Sequence, residues 1–231
     1  MKRIMSTSVL GFLLLCGHSS EAATCTVGGF TYTCDVLCVG SGACNAPVSG
    51  CDVDSDGKCT ACGNNSNNTI RGTTGNDVLC GFGGDDSLAG APRAVFALGD
   101  DIFSGGDGND RIYGGYGNDE MYGDAGDDLL QGGNGGSDTL VGGDGNDSLQ
   151  ASYNYSFTIP FGTKLCGGKG DDLVIGMGHG YQCVDGGADY DWCAYWAPQY
   201  PNDDEFGTAR NCEELADSDP LEPAQPSCGC F

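Results

Sequence analysis

The chain has 231 residues, 33 of them acidic and 9 basic, which makes nucleic acid and anionic membranes poor partners. Its 42 glycines argue against an ordinary packed globule. No segment after the N-terminus is apolar for long enough to span a membrane.

Residues 1–22 read as a secretory signal. Lys2 and Arg3 form a charged start, Val9 to Cys16 an apolar centre, and Ser20-Glu21-Ala22 a cleavage region. The apolar run is too short for a membrane anchor, and Leu15 is bulky where a lipoprotein signal needs a small residue. The expected location is therefore secreted or extracellular. Cleavage would remove Cys16 and turn 15 cysteines into an even set, as expected of a disulfide-bonded exported protein.

Residues 23–62 form a cysteine-rich N-terminal cap with Cys25, Cys34, Cys38, Cys44, Cys51, Cys59 and Cys62. Zinc is the competing reading, but histidine is absent here and export favours disulfides. Cys80 makes this group even and is expected to pair back into the cap, with connectivity left open. Asp52-Val53-Asp54-Ser55-Asp56-Gly57 resembles the start of an EF-hand loop, yet Gly63 stands where that loop carries a bidentate Glu. A shortened calcium loop and a solvated acidic turn are both open.

From Gly105 to Gln150 one sentence repeats: GGDGNDRIY, GGYGNDEMY, GDAGDDLLQ, GGNGGSDTLV, GGDGNDSLQ. Position 6 holds Asp110, Asp119, Asp128, Asp138 and Asp147, counting past one extra residue in the fourth copy. Position 8 holds Ile112, Met121, Leu130, Leu140 and Leu149. A disordered acidic linker would need no such register. The frame extends across residues 63–194. Upstream it adds Asn68 and Ile70, Asp77 and Leu79, Asp86 and Leu88, and, after an insertion, Asp101 and Phe103. Downstream it adds Thr163 and Leu165, Asp172 and Val174, Tyr181 and Cys183, and Asp191 and Cys193.

These rows resemble the RTX, or haemolysin-type, calcium-binding repeat GGxGxDxUx. The resemblance implies an all-β fold, a parallel β-roll in which two rows complete one coil. Six residues of each row would make a turn and three a strand. It also implies calcium between turns stacked on the same side, held by position-6 Asp and main-chain carbonyls. The metal candidates are Asp77, Asp86, Asp101, Asp110, Asp119, Asp128, Asp138, Asp147, Asp172 and Asp191. Glycine, which lets carbonyls approach an ion, and carboxylate oxygen are the chemistry that a hard cation needs.

Consecutive rows would lie on opposite sides. Rows starting at 63, 81, 105, 123, 142, 167 and 186 all have nine residues, whereas the irregular rows at 90, 132, 151 and 176 all fall on the other side. This predicts one regular flank and one looped flank. Filling every Asp–Asp gap gives roughly eight Ca²⁺ ions.

Tyr153, Tyr155, Phe157 and Phe161 crowd an insert, and Trp192, Tyr195, Trp196, Tyr200 and Phe206 crowd the end of the chain. They suit either a cover for the open stack or a sugar-binding platform. Residues 195–231 read as a disulfide-closed C-terminal tail. Cys193 followed by Asn211-Cys212-Glu213 resembles the end of some secreted calcium-repeat proteins, which implies a Cys193–Cys212 bridge. Cys166, Cys183, Cys228 and Cys230 complete that set.

His179 is the one histidine beyond residue 22, too few for an HExxH site or a Ser-His-Asp triad. The expectation is a secreted calcium-binding structural or interaction module rather than an enzyme. The alternative is an adhesin that grips a glycan or cell-surface component through its looped, aromatic flank. Oligomeric state is left open.

Overall fold

The computed structural model describes residues 24–33, 36–37, 42–44, 59–90, 99–151, 162–177, 182–196, 208–212, 214–215 and 230. The signal segment, the Asp52–Asp56 loop, His179, and the aromatics at 153–161, 200 and 206 lie outside the described residues. Within them every regular element is a strand.

A hairpin comes first, β1 (Thr24–Val27) and β2 (Phe30–Thr33). Next come β3 (Val36–Leu37), β4 (Gly42–Cys44), β5 (Cys59–Asn64), β6 (Asn68–Arg71), β7 (Asp77–Gly83) and β8 (Ser87–Ala89). The central coils follow as β9 (Ile102–Asp107), β10 (Arg111–Gly115), β11 (Glu120–Ala125), β12 (Leu129–Gly133), β13 (Thr139–Asp144) and β14 (Ser148–Gln150). The chain then makes β15 (Thr163–Lys169), β16 (Leu173–Met177), β17 (Gln182–Ala188), β18 (Trp192–Trp196), β19 (Thr208–Arg210) and β20 (Glu214–Leu215).

From β3 onward the strands alternate between two nine-stranded sheets, odd strands in one and even strands in the other. All pairing within both sheets is parallel. This is the parallel β-roll that the repeat implied. The ladders outrun residues 63–194: β3, β4 and β5 add strands before them, and β19 and β20 add strands after them.

Period dictates the packing. Rows of matched pattern place like residues in register, so Leu79, Phe103, Met121, Leu140 and Leu165 stack in the odd sheet. Ile70, Leu88, Ile112, Leu130, Leu149, Val174 and Cys193 stack in the even sheet. These residues form one core between the sheets, each 2% exposed or less. Each contributes about 1.5–3 kcal/mol by leaving water. Because side chains alternate, a one-residue slip would turn a whole strand inside out.

One row departs from the expected frame. Leu165 pairs with Val184, and Val184 joins the core, whereas Cys183 was expected there. Gln182, not Tyr181, stands opposite Thr163. The row starting at 176 thus carries its extra residue before the strand, as the row starting at 132 does. Cys183 points to the other face and is disulfide-bonded.

Described segments near both ends of the chain, the first hairpin and Cys230, are fastened to the outer face of the odd sheet. Cys25 and Val27 of the hairpin pack on Cys62, Val78 and Cys80, with Tyr32, Ile102 and Tyr122 at the margin. A Cys25–Cys80 disulfide holds them there, with Cα atoms 6.3 Å apart, so Cys80 does pair back into the N-terminal region. A Cys166–Cys230 disulfide fastens the tail to β15. The Cys193–Cys212 bridge that the tail resemblance implied is present, with Cα atoms 5.7 Å apart.

Candidate metal centres

Each turn is shaped by glycine. Gly126, at position 4 of its row, has φ of +133°, and a Cβ there would run into the Gly108 carbonyl of the preceding coil. Gly123, at position 1, leaves no room for a side chain either. A Cβ on it would collide with Asp128 Oδ2 and with the Gly142 carbonyl of the next coil. The same crowding by a position-6 carboxylate oxygen and a next-coil carbonyl recurs at Gly81, Gly105, Gly114, Gly142 and Gly167. Oxygen atoms are therefore packed against each turn from two directions.

All ten candidate aspartates are buried, none more than 3% exposed, and they form two columns. On the regular flank the N–H of Asn68 donates to Asp86 Oδ1 at 2.6 Å. The pattern then repeats from Asp86 to Asp110, Asp110 to Asp128, Asp128 to Asp147, Asp147 to Asp172 and Asp172 to Asp191, at 2.7–3.0 Å. On the looped flank it runs from Asp77 to Asp101, Asp101 to Asp119 and Asp119 to Asp138, at 2.8–3.0 Å. There the Asp138 N–H donates to the Thr163 hydroxyl at 3.3 Å, so Thr163 takes the carboxylate's place. The flank assignment read from row lengths is reproduced in these two columns.

One oxygen of every candidate carboxylate except Asp77, which heads its column, is thereby satisfied, but the other often is not. Oδ2 of Asp86, Asp110, Asp119, Asp128, Asp147 and Asp172 is buried with no hydrogen-bond partner. A buried, unsatisfied acceptor costs about 1–3 kcal/mol, and more if charged. The carboxyls respond as expected for buried groups. Burial is the main cause that pushes Asp86 and Asp147 up to about 6 from an ordinary 3.8. The same cause pushes Asp101, Asp110 and Asp172 up to about 7, and Asp119 and Asp128 up to about 8. In each the main-chain N–H opposes the rise, and neighbouring carboxylates add to it. Asp77 is also raised by burial, with the Thr73 N–H and hydroxyl opposing.

A hard divalent cation fits this donor set. Among the described residues no three His, Cys, Asp or Glu side chains gather into a cluster, so carbonyl oxygens would have to supply much of the coordination. Calcium takes that mixture of carboxylate and carbonyl oxygen. Bound there, it would supply positive charge where buried carboxylates now repel one another.

A second column in the same turns was not read from the sequence. At position 5 the side-chain oxygen of one row accepts the N–H of the residue one coil later. Asn67 serves Asp85, Asp85 serves Asn109, Asn109 serves Asp127, Asp127 serves Asn146, Asn146 serves Asp171, and Asp171 serves Tyr190, at 2.8–3.1 Å. It runs opposite in sense to the position-6 column, whose N–H groups donate forward to the later coil. The regular-flank order is Asn, Asp, Asn, Asp, Asn, Asp, so no two of these exposed carboxylates are adjacent. That alternation was the available signal.

Two parallel sheets joined by acidic glycine turns, with orphaned carboxylate oxygens inside them, define a calcium-type β-roll. The chain carries RTX calcium-binding nonapeptide repeats: that family matches it in four copies, over residues 63–92, 97–130 and 132–152. The match begins where the first full row of the frame begins. The position-6 column continues past it through Asp172 and Asp191. No curated protein matches the chain, and no solved structure matches it.

Proposed function

We propose that this is an exported protein whose repeats take up calcium and thereby complete their fold, serving as a structural or interaction module outside the cell. The observation that carries the reading is the row of buried, partnerless Asp Oδ2 atoms between coils. The residues assigned to hold the ions are Asp77, Asp86, Asp101, Asp110, Asp119, Asp128, Asp138, Asp147, Asp172 and Asp191, with main-chain carbonyls of the glycine turns completing each site. Export is supported by the leader-like residues 1–22 and by disulfides at both ends of the roll, which persist in oxidising surroundings. No catalytic residue is assigned.

Metal uptake and folding are coupled in this reading, because stacked carboxylates oppose the fold until their charge is met. Circular dichroism of the purified chain with disulfides intact tests it. Parallel strand signal should be low in chelator and rise with added calcium. Equal strand content in both conditions would end the coupling.

A further inference from the structure

The two flanks do not present the same demand for a cation. On the regular flank, Asp86, Asp110, Asp128, Asp147 and Asp172 each hold a buried Oδ2 with no partner, in unbroken succession. On the looped flank Asp119 also has such an atom, whereas Asp77 Oδ2 already accepts hydrogen bonds. The difference has a visible cause at the N-terminal end of that column. Thr73 donates its N–H to Asp77 Oδ2 at 2.5 Å, and its hydroxyl lies 3.0 and 3.1 Å from the two oxygens of the same carboxylate. The Thr73 hydroxyl is itself held by the Gly75 N–H at 3.1 Å. At the other end the column stops at the neutral Thr163 hydroxyl. Lone pairs already bound to a hydroxyl and an N–H must be released before they can bind an ion. Calcium affinity follows ligand charge and site rigidity, and this flank has less of the first and irregular rows besides.

We infer that the protein has two classes of calcium site: a tight, contiguous class on the regular flank between Asp86 and Asp172, and a weaker class on the looped flank between Asp77 and Asp138. This rests on the calcium reading above and sharpens it. The roll would then be stiffened from one side at low calcium and closed on the other only at higher calcium. Asn68 already occupies the head of the regular-flank column, where its Oδ1 accepts the Asn64 N–H at 2.8 Å while its Nδ2 is buried without a hydrogen-bond partner, so asparagine keeps the shape of aspartate there and removes its charge. Asp→Asn substitutions are therefore suitable probes.

Calorimetric titration of the full, disulfide-intact chain with calcium tests the inference, using Asp128→Asn and Asp110→Asn on one flank and Asp101→Asn and Thr73→Val on the other. The unsubstituted chain should titrate in two phases. Each regular-flank variant should lose two tight sites, because each aspartate borders two gaps. Asp101→Asn should leave the tight phase unchanged and reduce the weak one. Thr73→Val, which frees the Asp77 carboxylate from the hydroxyl, should strengthen the weak phase alone. Circular dichroism at saturating calcium checks folding; loss of fold in the regular-flank variants but not in Asp101→Asn would also express the expected asymmetry. One phase in the unsubstituted chain, or equal subtraction from the same phase by Asp101→Asn and Asp128→Asn, would overturn it. Absence of calcium uptake in every chain would instead remove the calcium reading itself.

Discussion

At the scale of the residue, the turn turns on a carboxylate placed where water cannot reach it. Asp119 and Asp128 are raised to about 8 by burial, and Asp86 and Asp147 to about 6. In chelator, then, the folded chain holds more protons than the unfolded chain between about pH 4 and pH 8. Stability of the metal-free roll should fall as pH rises through that window, and should stop falling above it. Strand content in chelator, read by circular dichroism at pH 4, 6 and 8, would show this as a loss of fold with rising pH; strand content that climbs with pH would contradict the raised values. Calcium competes with those protons, so its affinity should grow over the same range. Position 6 was legible in the sequence because an acid repeated beside glycines has few other uses. Position 5 was not, because an exposed Asn or Asp in a turn looks generic. Only the pairing of Asn109 with both Asp85 and Asp127 reveals that it ties coil to coil.

At the scale of the element, each strand is short and depends on one inward side chain. Leu140→Ala should cost about 2–5 kcal/mol, since the residue is wholly buried between Met121 and Leu165. Its outward-facing neighbour Thr139→Ala should cost within about 0.5 kcal/mol. Chemical denaturation at saturating calcium would compare them, and equal losses would mean that the strand is reversed. The inward series was readable from period alone at Leu79, Phe103, Leu130 and Val174. It failed at Val184 because an added residue can be absorbed on either side of a strand, and spacing does not say which. The hairpin was not readable either. Cys25 and Val27 carry no periodic signature, and their placement over Val78 and Cys80 depends on a contact between coils far apart in sequence.

At the scale of the whole molecule, the covalent links and the sheets have different paths. Cys25 is joined to Cys80, and Cys230 to Cys166. A pull on the two ends would enter the roll at β7 and leave it at β15, bypassing the chain from 25 to 80 and from 166 to 230. Only the coils between those two strands would bear the load, and these include the central acidic rows. In a single-molecule stretching experiment the oxidised protein should lengthen by that middle portion alone, and a reductant should release the rest. If oxidised and reduced chains extended equally, these bridges would not be carrying tension. Anchored this way, the molecule would behave under strain as a tether whose extensible part is the stretch governed by calcium.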